Sequence, residues 1–186
     1  MKWKPIFVCT LFLLVVSKTY CQEENNITRN VTKVNFLLPG VSYEQKISRI
    51  TTLYLSAYLN FLLSSRSSAY GTSTKVSAGP SFDFQVRNYY NYRRRSNNGL
   101  RTEFNSMNYI APVYTGTYAS PVSSSSRKLI SQFGVVWGMQ RNYASRFSLD
   151  LNIGVGYMTG VTGASNNNSV TLLAEFVLGF WLNRKS

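Results

Sequence analysis

Residues 147–157 read Phe-Ser-Leu-Asp-Leu-Asn-Ile-Gly-Val-Gly-Tyr, an unbroken alternation of apolar and polar or small residues. Successive side chains of an extended strand point to opposite sides. Phe147, Leu149, Leu151, Ile153, Val155 and Tyr157 therefore share one face, and Ser148, Asp150, Asn152, Gly154 and Gly156 share the other. A helix would scatter the same residues around its axis. This part of the chain is committed to a sheet with one dry and one wet face, and what the protein is depends on which face lies inside.

The same period recurs along the chain. In residues 51–63, Leu53, Leu55, Ala57, Leu59, Phe61 and Leu63 oppose Tyr54, Ser56, Tyr58 and Asn60. Residues 76–90 set Ala78, Phe82, Phe84 and Val86 against Ser77, Ser81, Asp83, Gln85 and Arg87. Residues 129–140 set Phe133, Val135, Trp137 and Met139 against Gln132, Gly134, Gly138 and Gln140, and residues 170–182 set seven apolar positions against Thr171, Glu175 and Gly179. Residues 103–118 are strand-like but weakly patterned. Between these segments, residues 64–74, 91–102, 119–126 and 159–168 read as polar or basic connections and residues 142–145 as a short turn.

Upstream, Val34, Phe36 and Leu38 fall on even positions, but Val41, Tyr43 and Ile47 fall on odd ones, so the facing flips at Pro39-Gly40. A hairpin there, with limbs 31–38 and 41–47, adds two strands to the six that follow. The expected topology is an eight-stranded antiparallel meander, and no helix-period pattern competes with it.

The first residues carry a different signal. Lys2 and Lys4 precede an apolar run at 6–16, with Thr19 and Cys21 at the positions a signal peptidase reads. A membrane-spanning helix needs about 20 apolar residues, so this run reads as a signal peptide at 1–21, cleaved before Gln22. A lipid-anchored Cys21 fits less well, because Tyr20 and Lys18 stand where a lipoprotein signal has small and Leu-like residues. The expected organisation is then a flexible segment at 22–30, a barrel at 31–182 and a tail at 183–186. Both cysteines, Cys9 and Cys21, lie in the removed segment, leaving no disulfide or thiolate site. The chain contains no histidine, the commonest general base and metal ligand. Neither a cofactor nor an enzymatic activity is expected.

In a soluble sheet the wet face carries Lys and Glu freely. Here the wet faces carry Ser, Gly, Asn, Gln and Tyr, and of the Lys and Arg beyond residue 21 only Arg87 sits well inside a clear strand. Long strands, apolar outward and polar inward, with basic and aromatic residues at their ends, suit a membrane-spanning barrel. In a bilayer such a barrel must close to satisfy its backbone. The expected fold class is all-β: a transmembrane antiparallel up-and-down β-barrel of eight strands in the cell outer membrane.

On this reading Asp83, Gln85, Arg87, Asp150 and Glu175 form a polar network in a lumen that eight strands leave just filled by side chains. Tyr89, Tyr90, Trp137, Tyr143, Phe180 and Trp181, near strand ends, form an aromatic girdle at headgroup level; the plainer reading is ordinary core aromatics. Arg93, Arg94 and Arg95 form a basic cluster on the periplasmic side, positioned either to touch anionic lipid or to be a solvated turn. Net charge is +13, which also raises nucleic acid as a partner, but export argues against it.

The signal peptide, the alternating strands such as 147–157, the connection Arg87-Asn-Tyr-Tyr-Asn-Tyr-Arg-Arg-Arg95 and the aromatic final strand together resemble the small outer-membrane β-barrel proteins of Gram-negative bacteria, OmpX- or OmpA-like in architecture. The resemblance covers the chain beyond residue 21. It implies outer-membrane lipid and the barrel assembly machinery as partners. The chain departs from those barrels at its end, where Asn183-Arg-Lys-Ser186 follows Trp181-Leu182. The expected role is an envelope scaffold or a display of polar loops to an unknown protein or surface ligand. The alternative is a secreted soluble barrel binding a small apolar ligand.

Overall fold

Each alternating segment forms a strand, and each strand pairs antiparallel with its neighbours in sequence. The computed structural model describes residues 27–68, 71–119, 128–159, 161–162, 165–166 and 168–182, with side chains over 27–60, 79–118, 129–159 and 168–182. The expected signal peptide at 1–21, residues 22–26 of the segment expected to be flexible, the tail 183–186 and most of the serine-rich connection at 119–126 lie outside the described residues.

The strands are β1 (Val31–Asn35), β2 (Gly40–Lys46), β3 (Thr51–Ser68), β4 (Gly71–Asn88), β5 (Asn108–Ala119), β6 (Lys128–Asn142), β7 (Phe147–Thr159) and β8 (Ser169–Trp181). They pair in order around a closed barrel, the ring completed by β1 against β8 through Lys33↔Trp181, Val34↔Phe180 and Asn35↔Gly179. The expected hairpin is present, with its turn at 36–39 and shorter limbs than 31–38 and 41–47. Residues 64–74 are a correction: β3 and β4 stay paired to Ser68↔Gly71, so most of this stretch is strand rather than loop. Its Ser and Thr content hid backbone pairing that continues whatever the side chains are. Within 159–168 a two-residue ladder joins Val161–Thr162 to Ser165–Asn166.

One end of the barrel, here the terminal end, gathers residues 27–30, Leu182 and the connections 47–50, 89–107 and 143–146. The connection 89–107 is the longest described there; it holds a short helix, α1 (Tyr92–Asn97), and a 3-10 turn at Glu103–Asn105. Residues 27–30, expected to be flexible, are tied down. Thr28 Oγ1 donates to the Ser48 carbonyl at 2.7 Å, and the Arg29 N–H and carbonyl both bond the Asn105 side chain at 2.8 Å.

Burial alternates along every strand and answers the question of faces. Outward positions are apolar and open: Phe133 is 52% exposed, Val155 64% and Leu172 68%. Inward positions are buried and largely polar, including Ser42, Gln85, Arg87, Gln140, Asp150 and Asn152. Among the described residues, the only charge at an outward strand position is Arg141, at the terminal rim. Size must vary inside a narrow lumen. Tyr109 lies across Gly138, where an added Cβ would come within 2.1 Å of the ring.

Candidate functional site

The terminal half of the lumen is built around Arg87. β4 delivers it inward at the odd parity shared by Ser81, Asp83 and Gln85, and it is fully buried. Its Nη1 donates to Asp150 Oδ2 at 2.7 Å and to Gln140 Oε1 at 2.6 Å, while its Nε donates to Gln85 Oε1 at 2.9 Å. The guanidinium plane sits between two rings, 3.6 Å from the centroid of Tyr54 and 4.3 Å from that of Tyr109. Planar guanidinium suits this sandwich, where stacking and in-plane donation act together. Tyr109 completes the clasp by donating its hydroxyl to Asp150 Oδ1 at 2.8 Å.

Two further buried charges close the account. Lys33 reaches Asp150 at 3.7 Å across the β1–β8 seam. Glu44 on β2 accepts hydroxyl protons from Tyr89 and Thr52 through Oε1 and an amide proton from Gln140 through Oε2 at 3.1 Å. Lys33 and Arg87 thus face Glu44 and Asp150, two of each sign, linked through Gln140. A buried charge is tolerable only when paired and hydrogen-bonded. Strands β1 to β7 all contribute contacts. Arg87 and Asp150 meet that condition and Glu44 is held by its hydrogen bonds, while Lys33 is held by charge alone, its Nζ 3.7 Å from Asp150 without a hydrogen bond among the described residues.

The far half differs. Asp83 has the hydroxyls of Ser56 and Tyr58 at 3.4 Å, and Glu175 accepts from Asn152 Nδ2 at 2.8 Å. No basic side chain pairs with either among the described residues. Beside them lies a cavity of about 340 Å³.

The terminal end is sealed by the 89–107 connection. Phe104 stacks on Trp181 at 4.3 Å between centroids, and Trp181 donates its indole N–H to the Tyr143 carbonyl at 3.0 Å. Phe104 and Asn105 hold φ of 53° and 62°, the left-handed region that Asn tolerates and Phe rarely adopts. Asn142 fastens the turn by donating to the Phe104 carbonyl.

The five residues expected in the lumen, Asp83, Gln85, Arg87, Asp150 and Glu175, all point inward, but they divide into the two groups above. Of the six expected on the outer belt, Tyr90, Trp137, Tyr143 and Phe180 are exposed, with Trp137 Nε1 donating to Tyr90 OH at 2.7 Å. Tyr89 and Trp181 are corrections: both are fully buried inside. Tyr89 continues the inward parity of Asp83, Gln85 and Arg87, and Trp181 that of Glu175 and Gly179, so parity outweighs nearness to a strand end. Arg93 and Arg94 project from α1 into solvent, and Arg95 bonds the Arg101 carbonyl at 3.0 Å. Lys33 and Glu44 were missed. Their alternation was readable, but the limbs of the first hairpin are too short for it to stand out.

Among the described residues no three His, Cys, Asp or Glu side chains converge. No protein-family model matches the sequence, and neither the curated proteins nor the solved structures gave a match.

Proposed function

We propose that the chain is an integral outer-membrane β-barrel of non-enzymatic role, OmpX- or OmpA-like in architecture, exported by its first 21 residues. The observation that carries this reading is the inversion of polarity. Apolar side chains cover the outer wall without a charge between the rims, while four charged side chains, three of them ion-paired, lie in the terminal half of the lumen. A water-soluble chain rarely leaves so continuous an apolar surface open, whereas a lipid-facing wall requires it. The closed ring also leaves no long backbone edge at the level of the terminal half. A soluble barrel with a greasy pocket would need the opposite arrangement.

In this orientation the terminal end, with its short turns at 47–50 and 143–146, faces the periplasm. The longer connection 89–107 departs from the short periplasmic turns of such barrels by folding over that end as a seal. The exposed Arg93 and Arg94 of α1 then lie beside the anionic headgroups of the inner leaflet. The filled terminal half suits a scaffold, or a platform presenting the far-end connections, better than a diffusive pore.

Fractionation tests the reading. Expressed with its first 21 residues in a Gram-negative host, the protein should sediment with outer membranes, resist carbonate extraction, require detergent and migrate differently on gels before and after boiling. Recovery in the aqueous phase without detergent overturns it.

A further inference from the structure

The barrel wall is not of even height. β1 and β2 have five and seven residues, about 17–23 Å along the strand at ~3.3 Å per residue, while the thirteen of β8 reach about 43 Å. Beyond the 179–181 pairing with β1, β8 receives one more bond, from the Phe36 N–H to the Leu178 carbonyl. On the other side β3 meets β2 only as far as Tyr58↔Gly40, followed by the Leu59 N–H to the Pro39 carbonyl. Above the turn at 36–39, therefore, β8 and β3 stand without a described strand between them. The outward face of β8 is still apolar at that height, with Ala174, Leu172 and Val170. The notch thus opens at the level of the apolar wall.

The far-half cavity runs into this notch. Asp83, Asn152 and Glu175 line it from inside the barrel, yet Leu172 and Phe176, whose side chains point outward, line it too, as does Leu38 in the hairpin turn. Five consecutive residues of β8, 172–176, line the space, which therefore runs along that strand's open edge. Its inner end is acidic: Asp83 and Glu175 both line it, and both buried bases are engaged by Asp150 deeper in the lumen. Its mouth is apolar.

We propose that this cavity binds a single-chain amphiphile with a primary ammonium head. The head sits between Asp83 and Glu175, where it supplies the missing positive charge, and the hydrocarbon chain leaves sideways through the notch into the bilayer. The inference rests on the lipid-facing reading of the outer wall. An anionic head meets two carboxyls there, and a neutral one leaves them uncompensated.

The test is titration of the protein, beginning at Gln22 and inserted in zwitterionic lipid nanodiscs, with dodecylamine, while the side-chain amide resonances of Asn152 are followed. Dodecylamine should give a saturable shift that dodecanol and dodecanoate do not. The Asp83→Asn/Glu175→Gln variant, its fold checked by heat-modifiable migration, should weaken binding at least about tenfold. Butylamine, with the same head and a chain too short for the notch, should bind at least about tenfold more weakly than dodecylamine. Equal response to dodecanol, an unchanged affinity in the double variant, or butylamine as tight as dodecylamine each overturns the proposal. If the protein inserts and shows the gel shift but does not respond to the amine, the cavity assignment falls and the membrane reading stands. If it does not insert, both fall.

Discussion

The two halves of the lumen contrast. In the terminal half, Lys33, Glu44, Arg87 and Asp150 balance in sign and are held by Tyr54, Tyr89, Tyr109 and Gln140. In the far half, Asp83 and Glu175 have neutral partners only and an open space beside them. A charge costs much the same to bury in either place, so the difference shows what each half is for. The first uses ion pairs to specify and close the fold. The second, on the proposed reading, keeps two acids for a ligand rather than for the fold. If that is right, substitutions should be costly near Arg87 and cheap near Asp83.

The largest effect is expected at the clasp. Arg87→Met removes three hydrogen bonds and leaves the buried Asp150 with only the distant Lys33 and the Tyr109 hydroxyl, and should destabilise the barrel by about 3–5 kcal/mol, read by urea unfolding in detergent. Adding Asp150→Leu and Lys33→Met together should recover much of that loss, because Asp150 is also the ion-pair partner of Lys33 and no buried unpaired charge of the cluster then remains. No recovery in the triple variant would place the cost in lost stacking against Tyr54 and Tyr109 instead.

Trp181→Ala should cost a comparable or slightly smaller amount, about 3–5 kcal/mol, since it leaves Phe104 without its stacking partner and hollows the seal. A midpoint shift under about 0.5 kcal/mol would mean that the terminal end is not packed as described.

In the far half, Asp83→Asn and Glu175→Gln should leave stability unchanged or raise it by up to about 1 kcal/mol at neutral pH. Each keeps an acceptor for the neighbouring hydroxyl or amide while removing one of two buried carboxyls that lack a basic partner among the described residues. A loss of more than about 2 kcal/mol in either would erase the contrast between the halves, because it would make these acids structural.

The smallest effect is expected at α1. Replacing Arg93, Arg94 and Arg95 together by Ala should alter stability by less than about 0.5 kcal/mol while reducing co-sedimentation with liposomes rich in anionic phospholipid. Unchanged liposome binding would return the cluster to a solvated turn.

Much of this was legible in the sequence, and the reason is physical. A strand's period of two is local, so β7, β8 and the described part of β3 could be read residue by residue from Phe147, Leu172 or Leu55 without knowing their neighbours. The same parity placed Asp150 and Glu175 inside. What was not legible depends on partners remote in sequence. Lys33 meets Asp150 only because β1 closes on β8, and Tyr54 meets Arg87 only across the β3–β4 register. Residues 64–68 and 71–74 looked like loop because Ser and Thr dominate them, yet the ladder with the facing strand carries them on. Trp181 and Tyr89 were misplaced by composition at strand ends where their own parity pointed inward. The wall's low side was implicit in the short limbs about Pro39-Gly40, but its consequence appears only when β8 and β3 are seen to rise past it.

The most direct test of the central claim, that apolar side chains face lipid and charges lie within, uses the absence of cysteine after Cys21. Single cysteines replacing Ile153, Val155 and Leu172 on the outer wall, and Asn152 within, can carry nitroxide labels in lipid vesicles. The account predicts high accessibility to oxygen and low accessibility to a water-soluble nickel chelate at 153, 155 and 172, with the reverse or low accessibility to both at 152. Collision of the nickel chelate with the labels at 153, 155 and 172 as frequent as with free label in water would contradict it.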